Sequence, residues 1–142
     1  MALQKRHYLF LDLGFYSACN MKCTYCRSEV VRDQRNFHLS DLVEQVEAFQ
    51  SRFRAGVVKL SGYGEVTMWR DFSKAIDYLQ GMFPQVQVIT NGTFSQRIAD
   101  KILEFPNVSP NITIDGHTLD LNETRVQGNV ELHRRMLSNL SL

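Results

Sequence analysis

Cys19, Cys23 and Cys26 are the residues whose type and spacing point most directly to chemistry. They fall in the run Cys19-Asn20-Met21-Lys22-Cys23-Thr24-Tyr25-Cys26, and the rest of the 142-residue sequence contains no cysteine. A disulfide framework needs an even number of cysteines spread along the chain, so three thiols in one short loop read as reduced, intracellular ligands. The C-x3-C-x2-C spacing lets one loop wrap three corners of an iron–sulfur cubane. A [4Fe–4S] cluster normally takes four thiolates, and no fourth is present, which leaves one iron open. An open coordination position separates a catalytic metal centre from a closed structural one. A Cys3His zinc site is the alternative, although His7, His38, His117 and His133 show none of the paired spacing that such sites use.

A loop of this kind needs a regular scaffold, and hydrophobic periodicity supplies one. Four β-rich runs, at 8–13, 57–60, 86–90 and 112–114, alternate with helical patterns. Leu39, Leu42, Val43, Val46, Phe49 and Phe53 recur at helical spacing, with Ser40 as N-cap and Gly56 just past the end. Phe72, Ile76, Leu79 and Phe83 repeat the pattern before Pro84, and Ile98, Ile102 and Phe105 repeat it before Pro106; both prolines act as stops. After Gly128, residues Val130, His133, Leu137 and Leu140 predict a fourth helix.

Strands alternating with helices of this length imply parallel β-α units, because a parallel neighbour requires a crossover. The expected fold is therefore α/β, a parallel sheet of about four β-α units forming one domain over residues 1–142. Function in such sheets gathers in the loops at the carboxyl ends of the strands. Those loops hold Cys19 to Cys26 after the first strand, Gly62-Tyr63-Gly64-Glu65 after the second, Asn91-Gly92 after the third and Asp115-Gly116 after the fourth. Asn91-Gly92 is also a good turn dipeptide on its own account, and is left outside the predicted site.

Composition excludes several other classes. At 44% hydrophobic and 22% charged the chain is an ordinary globular sequence, and 16 basic against 15 acidic residues give no charge-driven attraction to nucleic acid or anionic membrane. No apolar run approaches the roughly 20 residues of a membrane span. Asp12 interrupts the apolar stretch that follows the basic N-terminal residues, so export is not expected and the chain reads as cytoplasmic.

In the cysteine loop with its aromatic Tyr25, in Gly62-x-Gly64-Glu65, in Thr90-Asn91-Gly92 and in Thr113-Ile114-Asp115-Gly116, the sequence resembles the radical S-adenosylmethionine enzymes. The resemblance implies a [4Fe–4S] cluster on Cys19, Cys23 and Cys26 and S-adenosylmethionine as second cofactor, chelated to the open iron by its amino and carboxylate groups. It implies cofactor-binding roles for Tyr25 beside the adenine, for Gly62, Gly64 and Glu65 near the methionine ammonium, for Thr113 and Asp115 near the ribose, and for Arg125 on the carboxylate. Taken singly, a glycine pair is also an ordinary turn, Thr113 ordinary strand packing and Arg125 an ordinary solvated charge.

Asp115-Gly116 and Arg125 look most like the branch that contains peptide- and protein-modifying maturases, which makes a peptide or protein the expected substrate. Proline commonly follows the glutamate in this family, and Val66 stands there instead. Family barrels usually carry six β-α units, so the resemblance implies an abbreviated partial TIM barrel, or a fragment of a longer enzyme. A non-enzymatic iron–sulfur or zinc module is the rival class. Lys22, Arg27, Arg32 and Arg35 outnumber Glu29 and Asp33 around the loop, a landing site for a flavodoxin- or ferredoxin-like reducing donor or simply a solvated face. The uncovered flank of a four-stranded sheet predicts a homodimer or a partner chain, unless the C-terminal helix with Met136, Leu137 and Leu140 folds back over it.

Overall fold

In chain order the protein forms β1 (Arg6–Tyr16), α1 (Leu39–Arg52), β2 (Phe53–Gly62), α2 (Phe72–Met82), β3 (Gln85–Thr90), α3 (Gln96–Leu103), β4 (Val108–Ile112), a one-turn α4 (Glu123–Val126) and α5 (Val130–Ser138). The computed structural model describes residues 6–26 and 37–141. All four strands are parallel in one sheet ordered β1-β2-β3-β4, as the alternation of strand and helix requires.

The two faces of the sheet differ in chemistry. Leu13, Val58, Leu60, Val86 and Val88 are buried on one face, where they pack against Leu42 and Val46 of α1, Phe72 and Leu79 of α2, and Ile102 of α3. Burying each such side chain contributes about 1.5–3 kcal/mol. The opposite face carries Asp12, Lys59, Gln87 and Ser109, which pair Cα to Cα across all four strands as one polar row. Among the described residues, the helices pack on the face of Leu13, Val58, Leu60, Val86 and Val88.

Several local expectations shift. His38 rather than Ser40 caps α1, because the Asp41 carboxylate reaches back to accept the His38 backbone N–H at 2.8 Å. Gly56 lies inside β2, since α1 passes straight into that strand at Phe53. The fourth strand runs over Val108–Ile112 rather than 112–114, so Thr113 lies just past its end. Pro110 is tolerated there because β4 is an edge strand, where its missing N–H faces no ladder partner.

Phe15 stacks on Phe37 with ring centroids 4.2 Å apart, and Trp69 meets Phe15 edge-on at 4.7 Å while its indole N–H donates to the Phe37 carbonyl. This aromatic cluster braces the end of β1, where the cysteine loop begins. The loop's other side is backed by a second, smaller core of Met21, Val126 and Met136, which brings α5 against the loop.

Candidate metal and cofactor site at the carboxyl ends of the strands

The cysteine loop leaves β1 through a constriction. A Cβ on Gly62 would fall within 3.0 Å of the Tyr16 carbonyl oxygen, and one on Gly64 equally close to that of Ala18. The Gly64 N–H donates to the Tyr16 carbonyl at 2.9 Å and the Glu65 N–H to that of Ala18 at 2.8 Å. Gly62 and Gly64, expected to admit a ligand to the backbone, thus first admit the neighbouring chain that leads into the cysteines.

Glu65 is buried, with 1% of its surface exposed. Its Oε1 accepts from the Thr67 N–H at 3.2 Å and from the Thr67 and Thr90 hydroxyls at 2.6 Å each. Its Oε2 accepts from the Asn91 N–H at 2.6 Å and keeps room for one further donor. The carboxylate therefore ties the loop after β2 to the loop after β3.

Buried Asn91 and Thr93 and the exposed Asn20 form an amide and hydroxyl cluster beside Cys19 that sequence reasoning missed. Asn91-Gly92 passed for a plain turn, and Gly92 does adopt a positive φ of 79°. The available signal was the position of Thr90-Asn91-Gly92 at the carboxyl end of β3, opposite an asparagine within the cysteine loop. Cys19 and Cys23 are partly buried and Cys26 is exposed. Burial pushes both the Cys19 and the Cys23 thiol up; the nearby Arg125 cation opposes this at Cys23. Metal capture must therefore displace protons.

The far wall comes from the segment after β4. Arg125, 5% exposed in its side chain, donates from Nη1 to the Tyr25 hydroxyl at 2.7 Å and lies 3.7 Å from Asp115 Oδ1. Its Nε is buried without a partner. Asp115 also accepts from the Thr124 hydroxyl at 3.0 Å and from Tyr25. Thr24 N–H donates to the Thr124 carbonyl at 2.9 Å, and the Gln127 amide donates to that of Lys22, so α4 is hydrogen-bonded directly to the cysteine loop.

One cavity gathers these parts. Cys19, Cys23, Tyr25, Cys26, Gly62, Gly64, Glu65, Thr113 and Arg125 all line it, and of the residues selected from the sequence only Asp115 stands outside, bonded to two of the lining side chains. The three thiols border the cavity without converging on a point: among the described residues, no three His, Cys, Asp or Glu side chains gather closely enough for a single metal ion. Tetrahedral zinc needs such convergence, whereas a cubane takes its thiolates at separate corners. Arg125, whose buried Nε has no partner, and Glu65, whose Oε2 accepts a single hydrogen bond, both line the cavity and suit a zwitterionic ligand beside such a cluster. The residues present fit both groups. Of the basic residues expected to attract an electron donor, Lys22 is exposed on the loop, while Arg27, Arg32 and Arg35 lie outside the described residues.

Comparison with known proteins supplies independent findings. The family model for the Radical SAM superfamily matches residues 13–140. The chain is 32% identical over 110 residues to a probable GTP 3′,8-cyclase of Pyrococcus horikoshii, covering 78% of this chain and 34% of that protein. It is 30% identical over 130 residues to the mycofactocin maturase MftC of Mycolicibacterium smegmatis, covering 87% of this chain and 32% of that protein. Among solved structures it resembles Streptococcus suis SuiB bound to S-adenosylmethionine, with a TM-score of 0.71 at 18% identity over 92% of this chain and 30% of that one. SuiB bound to its precursor peptide SuiA gives a TM-score of 0.67 at 16% identity, over the same shares of the two chains. The chain thus spans about a third of the length of the curated relatives it matches.

Proposed function

Because the chain belongs to the radical SAM superfamily, whose enzymes use a [4Fe–4S] cluster and S-adenosylmethionine, we propose that its cavity holds both groups and generates a substrate radical. When bound, they supply one-electron cleavage of the sulfonium to methionine and a 5′-deoxyadenosyl radical, which takes a hydrogen atom from the substrate. The observation that carries this reading is that three thiols with no fourth share a cavity with the cation Arg125 and the buried Glu65.

The chain's own residues then have distinct duties. Cys19, Cys23 and Cys26 hold three irons. Arg125 offers its free Nε–H to the methionine carboxylate, and Glu65 offers its remaining Oε2 lone pair to the ammonium. Tyr25 borders the adenine, and Asp115 fixes Tyr25 and Arg125 from behind while Thr113 faces the ribose. Met21 and Ile89 give the cavity apolar wall that excludes water from a reactive species.

A peptide or protein substrate is supported by the likeness to a maturase and to SuiB, whose structure holds a precursor peptide. A flavodoxin- or ferredoxin-like protein would supply the electron at the exposed cysteine loop. The β4 edge, which pairs only with β3 among the described residues, would be covered by a second copy; light scattering of the cluster-loaded protein reads this directly. No helix among the described residues is long and apolar enough to cross a membrane, and the free, clustered thiols suit the cytoplasm.

Anaerobic reconstitution tests the central reading. The chain is expected to take up about four irons and four sulfides. With dithionite and S-adenosylmethionine it is expected to release 5′-deoxyadenosine. Stoichiometric zinc with no cluster spectrum would reject the enzyme; a cluster that ignores S-adenosylmethionine would make it a carrier.

A further inference from the structure

We propose that Asn91 is a positioning residue for the cluster, holding the Cys19 thiolate with its side-chain amide and raising the cluster's reduction potential. The inference rests on the function proposed above, since it takes Cys19 as an iron ligand.

The three thiols are not equivalent. Cys19 Sγ accepts from the Met21 backbone N–H at 3.3 Å and from Asn91 Nδ2 at 3.8 Å. The first donor belongs to the loop's own turn, two residues on. The second arrives from the loop after β3.

Asn91 is held in one orientation by its neighbours. Its Oδ1 accepts from the Thr93 N–H at 3.0 Å and the Thr93 hydroxyl at 2.6 Å. Its Nδ2 donates to Asn20 Oδ1 at 3.0 Å, and Asn20 Nδ2 donates in turn to the Thr93 hydroxyl at 2.8 Å, which closes a ring of three side chains. Reversing the amide would set its NH2 against the Thr93 N–H, donor to donor, so the NH2 must face Asn20 and the sulfur. The backbone N–H of Asn91 is engaged as well, at Glu65 Oε2. The bonds to Thr93 and Glu65 that fix the residue are buried, where water screens them little, and those to Asn20 and Cys19 are partly buried.

An N–H aimed at a cysteine sulfur stabilises the extra negative charge that a cluster gains on reduction, and so moves its potential positive. Through the same amide, the loop after β3 restrains the first cysteine of a loop that β1 carries.

The test compares the full chain with Asn91→Ser and Thr93→Val, each reconstituted without oxygen. Iron content, midpoint potential by redox titration with paramagnetic-resonance detection, and melting of the metal-free protein are measured. Asn91→Ser is expected to hold the cluster with its midpoint shifted negative. Thr93→Val removes a hydroxyl from the same ring without touching the donor, and is expected to leave the midpoint in place. An unmoved midpoint in Asn91→Ser, or equal shifts in both variants, overturns the proposal.

If Asn91→Ser holds no cluster but the metal-free protein melts as the parent does, the hold on Cys19 stands and the midpoint is read from Asn91→Ala. If it also melts lower, Asn91→Ala, which lacks the donor and adds no charge beside the sulfur, is read in its place. A negative shift there supports the proposal; an unmoved midpoint or a protein that again fails to fold overturns it. A parent chain that takes up no cluster overturns the proposed function and this inference together, whereas a loaded parent beside an unmoved variant overturns this inference alone.

Discussion

The backbone N–H of Asn91 lies 2.6 Å from Glu65 Oε2, so the first residue beyond β3 holds a carboxylate presented by the loop after β2. With the Thr90 and Thr67 donors on Oε1, Glu65 is a junction between loops before it is anything to a ligand.

Glu65→Ala is therefore expected to damage folding and cofactor binding together. It leaves the Asn91 N–H and the Thr90 hydroxyl buried without their acceptor, at about 1–3 kcal/mol each. Thermal melting of the metal-free variant should fall by several degrees. An unchanged melting temperature with weakened S-adenosylmethionine binding would show that the junction is dispensable and that Glu65 serves the ligand alone.

Two glycine-to-alanine changes should act in opposite directions. At Gly64 the added Cβ meets backbone atoms of Ser17 and Ala18, which cannot give way as a side chain can, so the variant should melt lower and bind less iron. At Gly81, inside α2, the Cβ meets nothing within 4 Å, and Gly81→Ala should stabilise by roughly 0.5–1 kcal/mol without affecting iron. Paired melting curves and iron analyses check both.

Arg125→Met is expected to keep the cluster and weaken S-adenosylmethionine roughly tenfold or more, the usual worth of a charge-assisted hydrogen bond. Tyr25→Phe, which removes the hydroxyl that Arg125 Nη1 holds at 2.7 Å and leaves Nε untouched, should weaken it less. Titration of the reduced cluster's spectrum with the cofactor measures each. Equal losses in the two variants would place the effect in the Arg125–Tyr25 bond rather than in the free Nε.

Lys101 supplies a pH test remote from the cavity. Burial alone would lower its pKa, but the hydrogen bonds it donates to Asp77 and Glu104 outweigh this and carry it above the usual 10.5. A pKa raised on folding contributes stability that is fully present below the unfolded value and is lost as pH climbs through the folded one. The parent should therefore lose this contribution only in the alkaline range above about 10.5, and Lys101→Met should flatten that limb of the stability curve. Denaturant melts at pH 7 and in the alkaline range separate the two behaviours.

What the amino-acid sequence determined by itself was chemistry and period. Three cysteines in eight positions carry their meaning in residue type and spacing, and the alternation of strand and helix patterns dictates a parallel sheet whatever the loops do. The placing of functional residues at strand ends followed, because a parallel β-α unit has only one set of loops at its carboxyl end. Register and partners were different. That Gly62 and Gly64 lie against Tyr16 and Ala18, that Arg125 meets a tyrosine 100 residues away, and that β4 ends at Ile112 all depend on how neighbouring strands align. Asn91 shows the division most clearly: locally it is a good turn residue, and only the packing of three loops turns its amide toward Cys19. Short windows encode propensity, whereas a hydrogen bond between distant segments exists only after the sheet has closed the chain between them, so tertiary structure alone could decide it.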